Sequence, residues 1–399
     1  MKSVKKGQIC RKSKWKRFAA VALLPALLLS SGCWNHVEVV NTVEAVGIFF
    51  DIENGQPLFG VQLAEPASSQ TGTQPRKPVN IFSTGATYSE AARRVMLNVP
   101  RLPMWAHVGV MLLGTDLTQN DLGLVADFLA RNRNVRKTSF LFVAEGSGRD
   151  FLEAELPIEA YPIMGLRKLI SIQEQQTGIY KPVRIDDFLQ DLAEPGVEPT
   201  VPQVIVREVD GKKVLGLDGT AVFKERRQVG VLNEQESQGF RLLSPRMVSG
   251  GLLTFPPPGE NNPNNNKYIS IELTRSLAKV KPQIEGNQIK KIIIQIDAEG
   301  NFYDQNFAGQ IISLDNIARM QEATGEEIKK KVTAAVIKAQ GLQSDIFGWG
   351  RLVRQQDPSL WEQIADDWPL MFSGSEIEVT VNFSIRRTYL LDHSFEFVE

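Results

Sequence analysis

The sequence predicts a multidomain α+β fold with mixed or antiparallel sheets, packed helices and an elongated arrangement. Three observations predict it: strand-like runs of β-branched and aromatic residues along the chain, helical patterns between them, and a last third that combines long strands with one long helix. A chain of 399 residues, of which 42% are hydrophobic, is long enough for two or three domains.

The first segment of the chain is expected to be a signal peptide. Eight basic residues and no acidic residue precede an apolar run at residues 18–29, which is the layout of an export signal. This run of twelve residues is shorter than the roughly 20 that a membrane-spanning helix needs. We therefore expect residues 1–32 to be removed on export.

Small residues lead from the apolar run into a cysteine: Ser30, Ser31, Gly32 and Cys33. This order resembles the lipobox of bacterial lipoproteins, although Ser30 stands where leucine is usual. Cys10, the other cysteine, lies in the leader, so the mature chain contains only Cys33 and no internal disulfide. The alternative is an ordinary signal peptide followed by an incidental thiol. We expect lipid attachment at Cys33, as N-palmitoyl and S-diacylglycerol.

An N-terminal α/β domain is predicted at residues 33–200. Strands at 43–52 and 58–64 flank a Glu-Asn-Gly turn, which predicts a hairpin, and residues 66–78 have the composition of an exposed loop. Strands and helices alternate after the loop. The predicted elements are a helix at 89–98, a strand at 107–113, a helix at 121–131, a strand at 140–143, a helical stretch to 176 and a helical turn at 185–192. Prolines at 195, 199 and 202 mark the end of this domain.

A β-rich middle region is predicted at residues 201–266. Runs at 203–209 and 213–222 are joined by Asp-Gly, a strong hairpin signal. The region ends in a loop, because residues 255–267 contain four prolines and five asparagines and cannot bury much apolar area.

The C-terminal domain, residues 267–399, is predicted to be an antiparallel sheet with one long helix. Strands are expected at 268–280, 288–298 and 376–390, and the helix at 314–339. In the last strand apolar and polar residues alternate, which is typical of a half-buried antiparallel strand.

The sequence indicates no catalytic site, cofactor or metal. The three histidines, His36, His107 and His393, are too far apart to predict a shared metal ion. His107 lies among apolar residues, which favours core or strand-end packing. The acidic pairs Asp186–Asp187 and Asp366–Asp367 are expected at helix ends or on solvated faces. Trp349, Trp361 and Trp368 are expected in the core.

Charge argues against nucleic acid as a partner. Without the leader, 37 basic residues face 46 acidic ones, so the mature chain has a net charge near −9. We expect anionic headgroups to repel such a body, so that the acyl chains anchor it.

Several separated motifs are similar to one family. They are Gly32-Cys33-Trp34, the strand from His107 to Gly114, Asp127-Phe128-Leu129, Phe142-Val143-Ala144, DGTAVF at 218–223 with Val229 and Gly230, SDIFG at 344–348, Pro358, Trp361, Trp368 and Ile385-Arg386-Arg387. In this order they resemble the Ger(x)C spore germination lipoproteins, the C subunits of nutrient germinant receptors. The chain departs at Asn35, where the family usually has Asp.

The resemblance implies a non-enzymatic subunit, lipid-anchored to the outer face of the inner spore membrane. It implies assembly with two integral membrane subunits, A-type and B-type, and a role in nutrient-triggered germination. The main alternative is a lipid-anchored extracytoplasmic solute-binding protein with a cleft between two α/β domains. A second alternative is a cell-wall hydrolase.

Overall fold

The computed structural model describes residues 38–64, 78–244, 246–259, 266–286, 288–307 and 314–388. The predicted leader, Cys33, His36, His393 and most of the predicted loop at 66–78 lie outside these residues. The chain divides into a unit of residues 1–42 and a unit of residues 43–399. The described part of the first unit contains a 3-10 turn at Val39–Asn41.

Within the described ranges, nine strands form the first sheet, in the order β3-β2-β1-β5-β6-β7-β8-β9 with β4 paired to β1. They are β1 Thr42–Glu53, β2 Gln56–Leu63, β3 Val79–Thr84, β4 Leu102–Met104, β5 Val110–Gly114, β6 Phe140–Glu145, β7 Thr200–Val209, β8 Lys212–Lys224 and β9 Arg227–Leu232. The central strands β1, β5, β6 and β7 are parallel, and antiparallel strands extend the sheet on both sides.

Helices cover both faces of this sheet, because its central strands are apolar on both sides. The helices are α1 Tyr88–Arg94, α2 Thr115–Asn120, α3 Gly123–Arg131, α4 Gly148–Glu153, α5 Pro162–Gln176 and α6 Ile185–Ala193. Side chains of α1, α3 and α6 pack in one hydrophobic cluster with β1 and β2. Side chains of α4 and α5 pack in another cluster on the opposite face. The first sheet is thus the middle layer of a three-layer α/β arrangement.

The second sheet has the order β10-β11-β12-β13. Its strands are β10 Leu252–Phe255, β11 Ile269–Glu285, β12 Gln288–Gln305 and β13 Glu376–Arg387. The helices that pack with it are α7 Glu234–Leu242, α8 Leu314–Gly341, α9 Trp349–Gln356, α10 Pro358–Ile364 and α11 Trp368–Gly374. One hydrophobic cluster joins these strands and helices.

The predicted α+β class and the long helix are confirmed, but the direction of the last strand was wrong. β13 runs parallel to β12, with Ile292 opposite Ile377 and Ala298 opposite Phe383, so this sheet is mixed. The reason is the connection, since α8 to α11 carry the chain back to the end of the sheet at which β12 began, as a crossover does. The alternation of β13 is present, and its residues are alternately exposed and partly buried up to Phe383.

The first sheet crosses residue 200, because β7 pairs with β6 through Val143 and Gln203. The predicted middle region therefore contributes β7, β8 and β9 to the first sheet and α7 and β10 to the second. We name β1–β9 with α1–α6 the N-terminal module, and α7–α11 with β10–β13 the C-terminal module. In the part of the chain that is described, no helix has the length and apolar character needed to span a membrane.

Candidate functional site

The candidate site is the junction between the two modules, where two sequence motifs meet. Ser344, the first residue of SDIFG, donates a hydrogen bond from its Oγ to the carbonyl oxygen of Phe223, the last residue of DGTAVF, at 2.6 Å. Beside it, the backbone N–H of Glu198 donates to the carbonyl oxygen of Asp345 at 2.9 Å. Segments that are 121 residues apart are thus joined at one point.

Asp345 organises the C-terminal side of this junction. Its side chain is buried and accepts hydrogen bonds from the backbone N–H groups of Phe347 (3.2 Å), Trp349 (3.2 Å) and Gly350 (2.7 Å) and from Nε1 of Trp368 (3.1 Å). These bonds satisfy N–H groups at the start of α9 that have no partner within the helix. Burial raises the pKa of Asp345 to about 6, although the four donors favour its charged form.

The aromatic residues around Asp345 form a compact core. Phe347 and Trp349 stack with ring centroids 4.6 Å apart, and Trp361 and Trp368 lie 5.7 Å apart. Trp349, Trp361 and Trp368 are all buried, which confirms the prediction that these tryptophans are core residues.

A glycine lets the linker before β7 lie directly on α9. Gly196 has a φ of +82°, and a Cβ there would lie 2.5 Å from the carbonyl carbon of Gly350. Its own carbonyl oxygen accepts a hydrogen bond from the N–H of Arg351 at 2.9 Å. A side chain at position 196 would therefore force the linker away from the helix.

Charged side chains surround this contact. Arg354 of α9 pairs with Glu194, and Arg351 lies 3.8 Å from Asp191. Burial raises the pKa of Asp191. The same effect raises the pKa of Glu198 to about 7, although its Oε2 accepts a hydrogen bond from the N–H of Glu225 at 2.6 Å.

Arg241 of α7 forms a second tie between the modules. Its buried guanidinium donates to the carbonyl oxygens of Glu174 (3.0 Å) and Gly178 (3.4 Å) at the end of α5, and to those of Ser249 (2.7 Å) and Gly250 (3.2 Å) before β10. Sequence reasoning missed this residue. The available signal was a single arginine among the apolar residues Phe240, Leu242 and Leu243.

The remaining predicted residues are not brought together. His107 is exposed at the end of a 3-10 turn, Trp105–His107, and β5 begins after it at Val110. Asp186 and Asp187 are exposed at the start of α6, and Asp366 and Asp367 just before α11, as expected for solvated helix ends. Among the described residues no group of three or more His, Cys, Asp or Glu could hold a metal ion.

At the junction the two modules therefore bind each other through hydrogen bonds and ion pairs. Carboxylates face backbone N–H groups and arginines, and the guanidinium of Arg241 faces carbonyl oxygens. Such contacts join the two modules at one place.

Comparison with known proteins identifies the family. The model "Spore germination protein N-terminal domain" matches residues 35–206, and the model "Spore germination B3/ GerAC like, C-terminal" matches residues 218–389. Spore germination protein KC of Bacillus subtilis (strain 168) is 24% identical over 410 residues, covering 96% of this chain and 99% of that protein. Spore germination protein B3 of the same organism is 25% identical over 371 residues, covering 90% and 94%.

A solved structure, the crystal structure of the GerBC protein, has the same fold. It superposes with a TM-score of 0.55 at 20% identity, over 85% of this chain and 96% of that chain. The similar proteins are spore germination proteins, which supports a role in germination. Since one family model ends in β7, the other begins in β8 and together they cover most of both modules, the chain belongs to the GerAC-like, or Ger(x)C, family of spore germination proteins.

Proposed function

We propose that this protein is a lipid-anchored, non-enzymatic subunit of a spore germinant receptor complex, needed for nutrient-triggered germination. The observation that carries the proposal is the sequence pattern of an export leader just before Cys33, in a chain whose two halves match germination-protein models. Lipid on Cys33 would hold it at the outer face of the spore inner membrane.

The partners in this proposal are two integral membrane subunits, A-type and B-type. The two modules supply the surfaces for them, and the junction keeps these surfaces in a fixed relation. A receptor subunit of this kind needs rigid coupling between contact surfaces rather than a reactive centre. The buried carboxylates and Arg241 at the junction are consistent with that requirement.

The anchor is tested by exchanging Cys33 for alanine. We expect Cys33→Ala to lose retention in the spore membrane fraction and the response to nutrients together, because both depend on the acyl chains. Membrane retention is measured by immunoblotting of fractions, and germination by the fall in optical density after nutrient addition. Cys10→Ala, in the leader, is the matched control and should behave like the wild type.

Germination that persists undiminished while Cys33→Ala is released from the membrane would contradict the anchored mechanism. Assembly is tested separately by affinity purification of the tagged wild-type chain from detergent-extracted spore membranes. Recovery of two multi-spanning proteins in constant ratio supports the complex, and recovery of the chain alone contradicts it.

The solute-binding alternative has less support. Its two domains would each be an α/β body beside a cleft, whereas β10, β11 and β12 form an antiparallel series beside one long helix. Thermal shift with amino acids and sugars distinguishes the two hypotheses, because a ligand at 100 times its Kd stabilises by about 2.7 kcal/mol.

A further inference from the structure

We propose that one edge of the N-terminal module docks on anionic lipid headgroups and orients the anchored protein. This inference rests on the proposed lipid anchor. We name the surface the amino edge, since it lies before the first residues of the parallel strands. Its defining exposed residues are Leu102, Met104, His107, Arg133 and Arg136.

The topology places these residues on one edge. β4 pairs with β1, and only five residues, 105–109, separate β4 from β5. The N–H of Gly109, the last of these, donates to the carbonyl oxygen of Val46 at 3.4 Å, just before β5 pairs with β1 at Gly47. The segment before β5 is bonded to the segment before β6. Oγ of Ser139 donates to the carbonyl oxygen of Val108 at 2.6 Å. The N–H of Phe140 donates to the carbonyl oxygen of Gly109 at 3.0 Å.

The covalent chain keeps this edge close to the proposed anchor. Nine residues lead from Cys33 to Thr42, where β1 begins. Even a fully extended chain of that length reaches only about 32 Å. With the lipid on Cys33 in the membrane, β1 of the N-terminal module, and β4 beside it, are therefore within reach of the bilayer surface.

Two segments that contribute to the amino edge are basic. Residues 95–109 and 128–144 contain no acidic residue, and they contain five basic ones: Arg101, Arg131, Arg133, Arg136 and Lys137. Arg133 and Arg136 form no ion pair with a carboxylate of the described residues. Leu102 is 44% exposed and Met104 37% exposed.

Acidic residues also lie near this edge, which makes the docking weak, and one of them, Asp127, pairs with Arg131 at 2.7 Å. Glu44 is exposed in β1, and Asp186 and Asp187 begin α6, next to Lys137, whose carbonyl oxygen accepts the N–H of Asp186. A single patch of modest charge does not hold a protein at a membrane by itself. It orients one that is already tethered.

The chemistry favours a phospholipid surface. Arginine binds phosphate oxygens with two parallel N–H donors, and leucine and methionine side chains enter the boundary between headgroups and acyl chains. The mature chain is otherwise acidic, so the same membrane repels its other faces. Anionic headgroups are therefore expected to repel the acidic surfaces of the mature chain but to attract the amino edge.

The test uses residues 33–399 with Cys33→Ser, so that no lipid is attached; all three hydrophobic clusters lie within this chain. It is sedimented with vesicles of phosphatidylglycerol and phosphatidylcholine, and with phosphatidylcholine vesicles alone. We expect binding to the anionic vesicles only, reduced by added salt. Arg133→Gln/Arg136→Gln should weaken it by about 25-fold, at roughly fivefold for each charge.

The matched control is Arg149→Gln/Arg207→Gln, which removes two exposed arginines at the opposite, carboxyl end of the parallel strands. Arg149 follows the end of β6, and Arg207 lies two residues beyond Ile205, the partner of Glu145 at that end, and 3.6 Å from Asp218. This control should bind like the parent chain. A second variant, Leu102→Asn/Met104→Asn, should also weaken binding if the apolar side chains enter the interface. Circular dichroism verifies that all variants are folded.

Equal binding by the two arginine variants, or no binding of the parent chain to anionic vesicles, would overturn the proposal. Either result leaves the anchor hypothesis intact, since that depends on Cys33→Ala in spores. If Arg133→Gln/Arg136→Gln impairs receptor assembly without changing vesicle binding, the amino edge binds protein instead, and the lipid proposal is likewise wrong.

Discussion

At the scale of single residues, the junction depends on carboxyl groups that are taken out of water. Glu198 and Asp345 lie on either side of one backbone contact, and burial raises both pKa values. A buried carboxyl with a raised pKa favours the folded state while it is protonated. The stability of the junction is therefore linked to pH.

The pH dependence is testable at Glu198. Its pKa is 4.5 when exposed and about 7 when folded, so its contribution is fully present below about pH 4.5 and is lost as pH rises through 7. We expect the wild type to have a higher Tm at pH 5 than at pH 8. Glu198→Gln, whose carbonyl still accepts the N–H of Glu225, should raise the Tm at pH 8 and reduce this difference.

Asp51 and Asp345, with pKa values raised to about 6, act in the same direction, so Glu198→Gln removes only part of the effect. Glu362→Gln, at an exposed position of α10, is the control and should leave the wild-type difference in place. A Tm difference that is the same in Glu198→Gln and in the wild type would contradict the assignment.

Asp345 is expected to be intolerant of its own amide. In Asp345→Asn an NH₂ group replaces one oxygen and faces N–H donors, so at least one buried donor loses its acceptor. We expect a loss of about 2–4 kcal/mol in the free energy of unfolding. Urea denaturation followed by tryptophan fluorescence measures it.

The control for Asp345→Asn is Asp357→Asn. Asp357 precedes α10 and accepts one N–H, that of Leu360 at 3.0 Å, and asparagine serves equally well at such a position. This substitution should change stability by less than about 0.5 kcal/mol. Similar effects of the two substitutions would mean that Asp345 is not the organising residue.

At the scale of elements, α7 and α8 touch closely enough to require glycine. A Cβ on Gly239 would lie 2.0 Å from the carbonyl oxygen of Lys331. We expect Gly239→Ala to separate the helices and to lower the free energy of unfolding by about 1–3 kcal/mol. Gly341→Ala, at the end of α8 with no atom within 4 Å, should be neutral or stabilising by up to about 1 kcal/mol. Thermal unfolding compares the two variants.

Much of this element structure could be predicted from the sequence. The alternation in β13 and the length of α8 follow from local periodicity, which records the face that a residue buries. Periodicity does not record direction, since a half-buried strand has the same pattern beside a parallel or an antiparallel neighbour. The parallel pairing of Ile292 with Ile377 could therefore not be predicted from the periodicity.

The candidate site could be predicted only in pieces. Its motifs are visible in the sequence, but the bond between Ser344 and Phe223 joins residues 121 positions apart, and no local pattern encodes such a contact. The role of Arg241 could not be predicted because its partners are backbone carbonyl oxygens. Every residue has one, so the sequence does not indicate which residues are the partners.

At the scale of the whole molecule, the two modules are joined by the contact between Ser344 and Phe223 and by the hydrogen bonds of Arg241. If Arg241 couples them, protection from hydrogen exchange should fall in both modules when it is replaced. We expect Arg241→Met, which leaves four carbonyl oxygens without this donor, to speed exchange in peptides covering α5 and β10 by about tenfold or more. Mass spectrometry of exchanged peptides measures this.

The control for Arg241→Met is Arg246→Met. Arg246 is exposed in the segment that precedes β10, and its replacement should leave exchange unchanged. Faster exchange confined to one module in Arg241→Met would indicate that the arginine stabilises that module alone.

The parallel return of β13 has a consequence for the order in which the sheets are completed during folding. The N-terminal sheet ends at Leu232, whereas β12 obtains its second neighbour only when residues 376–387 have arrived. Until then the outer edge of an 18-residue strand is unpaired, the state in which sheets join wrongly to other chains. A nonsense mutation upstream of residue 376 should therefore give an aggregating polypeptide rather than a shortened but functional one.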